Sequence, residues 1–358
     1  IEDENDKIWM GTDQGVGVYD PKTKKCTPFL VDTLLNSNTV FYVFQDSKKN
    51  KWFGTIGAGA IEITPENKVF YFNANNGLLD NFIRSIGEDA NQVVHICANT
   101  GLHKIMNGKA VLVDLPDASI AGFTGVMGES KDVTWFSSYN GLFKLDRGKF
   151  TRIGANNGLV SNNLWCSMID REGNIWVGTE GYGAARFIGE YQYNYLFLNG
   201  VTDENVAAVF EENDGNRWVA VTNNGVFRIG TDGTIINFKL DPKNLKNSIS
   251  DNTIHSITQD KAGTIWFGTI AGLSKIDPRF GIFINKAKNA GKNFEEIKDF
   301  IKEKAEGNQA PKDQRNIIEQ YSPELNQFIS SEVKKGRSPI EAGAIAQSKK
   351  EYKLYKQN

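Results

Sequence analysis

Short apolar or alternating runs recur along the first 285 residues, and each is followed by a polar turn cluster and then a large aromatic residue. TVFYVFQD, FIRSIGED, LWCSMID, NVAAVFEE and TIHSITQD are the clearest runs; SKKN, EGN, NDGN and KAG are typical of the clusters behind them. Aligned on the tryptophan of IWFGT, the copies place Trp9, Trp52, His95, Trp135, Trp176, Trp218 and Trp266 at one position, at intervals of 43, 43, 40, 41, 42 and 48 residues. A period of roughly 40 to 45 residues belongs to propeller repeats.

Each copy continues in the same way. GT or a small-residue substitute follows the tryptophan, and a glycine comes six or seven residues on: Gly15, Gly59, Gly101, Gly141, Gly183, Gly225 and Gly272. A third run then follows (VGVYD, AIEIT, LHKI, LFKLD, AARFI, VFRI, LSKID), and a weaker fourth one. Four short strands separated by turn signals make one antiparallel sheet, and a sheet of that size must bury its faces against neighbours. The expectation is an all-β fold, a seven-bladed β-propeller of four-stranded antiparallel blades over residues 1–285. The repeated tryptophans fill the space between blades, and the repeated glycines allow turn angles that other residues resist. IEDENDKIW reads as the end of the inner strand of blade one, so that strand is a stub of Ile1 to Asp3 and the sequence is taken as a fragment. Closure of the ring then rests on packing between blades one and seven.

The pattern D-x-x-G-x-I-W-x-G-T-x-x-G-L-x-x-x-D, preceded by N-G-L-x-x-N, resembles the two-component regulator propeller repeat. It is clearest in NNGLVSNNLWCSMIDREGNIWVGTEGYGAARF and NSISDNTIHSITQDKAGTIWFGTIAGLSKID. The resemblance implies a sensory region of a bacterial regulator, periplasmic or extracellular, with carbohydrate sensing a common role. The third copy, VVHICANTG, and the fourth, VTWFSSYNG, lack GT after the aromatic, which calls their turn geometry into question.

The pattern stops after Asn285. NKAKNAGKN is a polar linker, and beyond it Phe294, Ile297, Ile301 and Ala305 fall at helical spacing. A second helical pattern runs from about Asp313 to Lys335, and a third follows Ser338-Pro339. Residues 286–358 are therefore expected to form a small α-helical region that packs or meets a protein partner. They hold 15 Lys plus Arg against 11 Asp plus Glu, and the rest of the chain holds 26 against 32. A mildly acidic propeller with a mildly basic tail lacks the dense cationic face of a nucleic-acid binder. No apolar run is long enough to span a bilayer.

Chemistry-bearing residues are sparse. Three cysteines, Cys26, Cys97 and Cys166, fall on different blades, and no disulfide framework or metal spacing links them. No catalytic motif stands out, and neither a cofactor nor a metal is expected. Of three histidines, His95 takes a tryptophan position, His103 lies on a third strand where half exposure is expected, and His255 sits on an inner strand.

Comparison among the copies is more informative, since a ligand site on a ring must break its symmetry. Eleven residues before each aromatic stand Phe41, Arg84, Thr124, Trp165, Ala207 and His255, each preceded by an apolar residue. The loops between second and third strands also vary: Asp13 and Gln14, Tyr139 and Asn140, Glu180 and Tyr182, Asn223 and Asn224. Both sets belong at one end of the channel. Phe41, Arg84, Trp165, His255, Tyr139, Glu180 and Tyr182 are the candidate ligand-binding residues, a set suited to a small polar ligand such as an oligosaccharide stacked on aromatic faces. The alternative is a propeller enzyme resembling streptogramin lyase, with His255 as base, Glu180 as its partner and a divalent ion at the channel mouth.

Overall fold

The computed structural model describes residues 1–117, 120–188, 191–195, 205–242 and 248–276. The helical expectation for 286–358 lies outside the described residues. By its contacts the chain divides into Ile1–Arg228 with Asn237–Asp277, and Ile229–Ile236 with Pro278–Asn358. Of the second unit only Ile229–Ile236 is described, a hairpin tip closed by Gly230 N–H on Thr234 O (2.7 Å) and by the Asp232 carboxylate on Thr234 N–H (3.0 Å).

The fold is an all-β, seven-bladed propeller. Blades two to six each hold four antiparallel strands in sequence order, as in Thr39–Gln45, Lys51–Ile56, Ala60–Ile63 and Val69–Phe72 of blade two. Blade one has Ile8–Thr12, Gly15–Asp20 and Lys25–Pro28, and blade seven has Ile254–Gln259, Ile265–Thr269 and Gly272–Ile276. The Ile1–Asp3 segment pairs with Ile8–Thr12, through Trp9 N–H on Ile1 O (2.8 Å) and Asp3 N–H on Lys7 O (2.9 Å). It occupies the inner-strand position of blade one. Helix is confined to the short turns Thr33–Asn36 and Ala155–Asn157 among the described residues.

The tryptophans are buried between blades, as their recurrence implies. Trp9 meets Phe53 of blade two (centroids 6.1 Å), and Trp218 meets Phe267 of blade seven (5.4 Å). His95 fills the same slot in blade three, edge-on to Phe136 of blade four (5.4 Å). Six of the seven positions are also anchored by a carboxylate six residues upstream. Trp9 donates to Asp3 (2.8 Å), Trp52 to Asp46 (2.9 Å), Trp176 to Asp170 (2.9 Å) and Trp266 to Asp260 (2.8 Å), while Trp135 donates to Glu129. His95 Nε2 lies 2.9 Å from Asp89. The other carboxylate oxygen caps the intervening turn, as where Asp170 Oδ1 accepts from Asn174 N–H at 2.8 Å. Burial raises the Asp170 carboxyl, but hydrogen bonds from Trp176 and Asn174 and the charge of Arg217 outweigh it and hold the group below the usual carboxylate range.

The GT dipeptide closes the turn that follows. Thr55 Oγ1 donates to Gly59 O (2.7 Å) and accepts from Ala58 N–H (3.0 Å). Gly59 has φ +85°, and a Cβ there would come within 2.1 Å of the Phe72 carbonyl oxygen. In blade four Ser138 reproduces the arrangement with Gly141 O (3.0 Å) and Asn140 N–H (2.9 Å), so that turn survives loss of the threonine. In blade three Ala98 has no hydroxyl to offer, and Gly101 does not share the positive φ of its counterparts. The asparagine of N-G-L-x-x-N ties successive blades together: Asn81 Oδ1 accepts from Ala74 N–H (2.8 Å), and its carbonyl accepts from Gly57 and Gly59 of blade two.

Blade seven meets blade one directly. Tyr19 packs against Trp266 (5.5 Å), Lys261 N–H donates to Glu2 (2.8 Å), and Lys261 Nζ reaches Asp3 O (2.8 Å) and Asp6 (3.2 Å). His103 departs from expectation. It is 0% exposed, in a strand whose first three residues, Gly101, Leu102 and His103, are all buried, and its Nε2 accepts from Leu79 N–H (3.2 Å). Burial pushes its pKa down, with the Ile96 carbonyl opposing in part. Cys97 is buried, Cys166 half-buried and Cys26 exposed, all as free thiols.

Candidate functional site

The variable inner-strand position has a backbone cause. In blades two to seven the first and second strands slip by one residue, between Val40 and Tyr42, Ile83 and Ser85, Phe123 and Gly125, Leu164 and Cys166, Val206 and Ala208, and Ile254 and Ser256. The residue skipped is Phe41, Arg84, Thr124, Trp165, Ala207 or His255. Each is the extra residue of a β-bulge, left out of the ladder and re-aimed relative to its neighbours. The preceding apolar residue is buried every time and pins the bulge in place.

The bulge residues have different surroundings. Phe41 is 53% exposed and lies edge-on to Phe82 (5.7 Å). Arg84 is half-buried, with its guanidinium between the rings of Phe82 (4.6 Å) and Tyr139 (4.7 Å). Its Nε and Nη2 donate to Asn99 Oδ1 (2.9 and 2.7 Å), and Nη1 donates to the Tyr139 hydroxyl (2.6 Å). Thr124 Oγ1 is committed to Leu164 O (2.9 Å) and to the Ser137 hydroxyl (3.0 Å). Trp165 is half-buried, unlike every other tryptophan in the chain, and Ala207 is likewise half-buried. His255 is exposed.

Five of these side chains thus come together from blades two, three and four: Phe41, Phe82, Arg84, Asn99 and Tyr139. Main-chain bonds brace the cluster, from Asn99 N–H to Phe82 O (2.8 Å), Gly122 N–H to Asn99 O (3.0 Å) and Tyr139 N–H to Gly122 O (3.1 Å). Gly122 has φ +66°, and a Cβ there would meet the Tyr139 ring at 2.7 Å. Phe82 and Asn99 escaped the sequence reading. Phe82 replaces the small or polar residue of the other copies (Thr39, Gly122, Asn163, Asn205, Thr253), so the same test of broken symmetry, moved two positions earlier, identifies it.

The remaining loop candidates stand apart from this cluster. Glu180 accepts from Asn163 Nδ2 of its own blade, and Tyr182, 54% exposed, follows it. Asn223 accepts from Thr253 Oγ1 (3.2 Å), and Asn224 from Lys239 Nζ (3.0 Å). Among the described residues no hydrogen bond or ion pair joins His255 to Glu180, nor do three or more His, Cys, Asp or Glu side chains gather there as a metal site. Among them too, no helix is long and apolar enough to cross a membrane.

With this geometry in hand, the relatives can be placed. The family model described as two component regulator propeller matches residues 158–181 and 248–271, the copies centred on Trp176 and Trp266. The chain carries two-component regulator propeller repeats. Similar solved propellers include the extracellular domains of two B. thetaiotaomicron proteins, each described as a hybrid two component system. One is 18% identical with a TM-score of 0.65, covering 77% of this chain and 39% of its own; the other is 19% identical with a TM-score of 0.62, covering 77% and 37%. The chain thus spans about two fifths of the length of these relatives. Virginiamycin B lyase from Staphylococcus aureus is 15% identical with a TM-score of 0.60, covering 77% of this chain and 92% of its own. At these identities the likeness is one of fold. No curated protein sequence matches the chain significantly.

Proposed function

We propose that these propeller repeats form a ligand-binding sensor domain of a bacterial regulatory system, placed outside the cytoplasmic membrane, which takes a small polar ligand such as an oligosaccharide at the channel mouth. The observation that carries this reading is the ring of bulges. Six copies of one backbone irregularity present six different residue types, and the large ones, Phe41 and Trp165, retain solvent exposure that the repeated tryptophans lack. Exposed aromatic faces beside amide and hydroxyl groups are how proteins hold sugar rings. The extracellular placement of the similar B. thetaiotaomicron domains supports the location.

Titration calorimetry against a panel of neutral and acidic oligosaccharides tests the reading. Phe41→Ala, Trp165→Ala and Tyr182→Ala should each weaken binding by about 1–3 kcal/mol, the range of aromatic hot spots. Unchanged affinity in all three variants would overturn it. The likeness in fold to a lyase motivates a second reading, in which His255 acts as a base; turnover abolished by both a chelator and His255→Ala would favour it over binding alone.

A further inference from the structure

Arginines withdrawn from solvent normally carry their counter-charge with them, because removing a cation from water without one is costly. Among the described residues four arginines are not exposed: Arg84, Arg186, Arg217 and Arg228. Three follow the rule. Arg186 pairs with Glu172 (2.7 Å), Arg217 with Asp170 (3.2 Å), Glu172 (3.3 Å) and Glu211 (3.4 Å), and Arg228 with Glu212 (2.5 Å) and Asp214 (3.5 Å). Arg84 has no carboxylate within ion-pair distance among those residues. Its partners are an amide oxygen, a phenol and two aromatic rings, all neutral.

What is left unspent in this cluster is one-sided. A guanidinium has five N–H donors, and three are used, so one remains on each of Nη1 and Nη2. The Tyr139 oxygen accepts from Arg84, which leaves its own proton free to donate. Three donors around a fixed, uncompensated positive charge call for an acceptor that is itself charged. The orientation is set in advance, since two rings clamp the guanidinium plane and Asn99 Oδ1 holds the Nε–Nη2 edge.

We propose that Arg84, Tyr139 and Asn99 form an anion subsite in the blade three to four sector of the mouth, and that the ligand is an acidic saccharide whose carboxylate or sulfate supplies the missing counter-charge. Asn99 positions the guanidinium; Arg84 and the Tyr139 hydroxyl touch the anion; Phe41 and Phe82 flank it with apolar surface for the attached ring. The inference rests on the sensor reading above, and it narrows the ligand to an acidic class.

The experiment uses the full chain and three matched probes in calorimetry: trigalacturonate, galactotriose, and a sulfated galactotriose. Trigalacturonate or the sulfated sugar should bind at least tenfold more tightly than galactotriose, and the better of the two tells carboxylate from sulfate. Affinity for that probe should fall 10- to 100-fold in Arg84→Ala, less in Tyr139→Phe, and should weaken as sodium chloride rises from 0.05 to 0.5 M. Arg84→Lys keeps the charge and loses the fork, so partial recovery is expected there; thermal melts of each variant confirm that the blade is intact. Equal binding of neutral and acidic probes, or indifference of the acidic probe to Arg84→Ala, overturns the anion subsite while leaving the sensor reading standing. Binding of no probe at millimolar concentration overturns the acidic-saccharide assignment, and the wider oligosaccharide panel then decides the sensor reading separately.

Discussion

Every blade from two to seven contains two marked positions eleven residues apart, the interblade aromatic on the second strand and the bulge residue on the first. At the aromatic position the chain repeats itself, and where it departs, at His95, the substitute keeps both the ring contact and the bond to the acid. At the bulge position the backbone repeats and the side chain does not. Repetition of residue type marks packing shared by all blades, whereas repetition of backbone with divergent residue type marks a position released from packing. Conserved geometry and conserved identity are separate signals in a repeat protein, and here they fall on different strands.

The sharpest way to break that contrast is to truncate one member of each class. Trp176→Ala removes a buried indole and one of the hydrogen bonds to the Asp170 carboxylate; it should cost about 3–5 kcal/mol in urea unfolding, the usual range for large core truncations. A loss below about 1 kcal/mol would mean that the interblade aromatic is not what holds the blades together.

A buried histidine sharpens the contrast through pH. The His103 pKa is lowered in the folded protein, so as pH falls the unfolded chain takes up this proton first. Stability is therefore complete well above the unfolded value of about 6.5 and is lost as pH drops below it, by at most about 1.4 kcal/mol per pH unit for one proton. Unfolding measured between pH 7.5 and 5 should show a shallower acid limb in His103→Gln, which removes the titrating group.

The smallest effect belongs to Phe41→Ala. Its ring is more than half exposed, and the expected change in stability is within about 0.5 kcal/mol, read from the same urea curves. A large loss would place Phe41 with the packing residues and remove it from the binding face.

Much of the fold was legible because tryptophan, glycine and the GT dipeptide recur at a spacing that only a ring of small sheets satisfies. The acids Asp3, Asp46, Asp89, Glu129, Asp170, Glu212 and Asp260 are equally regular, yet they were given no role, since a carboxylate beside a polar turn looks like ordinary solvated loop. His103 was misplaced because an alternating strand pattern suggests one wet face, whereas Gly101, Leu102 and His103 are buried in succession. The bulge itself leaves no mark in composition. An extra backbone residue is visible only in the register, although the freedom it gives its side chain showed as variability among copies. Asn99 was missed for a related reason: a lone asparagine in a polar turn looks like ordinary loop, and only the folded backbone brings its amide oxygen to Arg84.

The half-exposure of Trp165 has an optical consequence. The other six indoles of the chain, at positions 9, 52, 135, 176, 218 and 266, are buried. Acrylamide or iodide will therefore reach one emitter in seven, the one seated on an inner-strand bulge. A ligand that covers it should reduce quenching without altering the emission of the buried set. The protein thus carries its own fluorescent reporter at the channel mouth, with six shielded tryptophans as an internal reference.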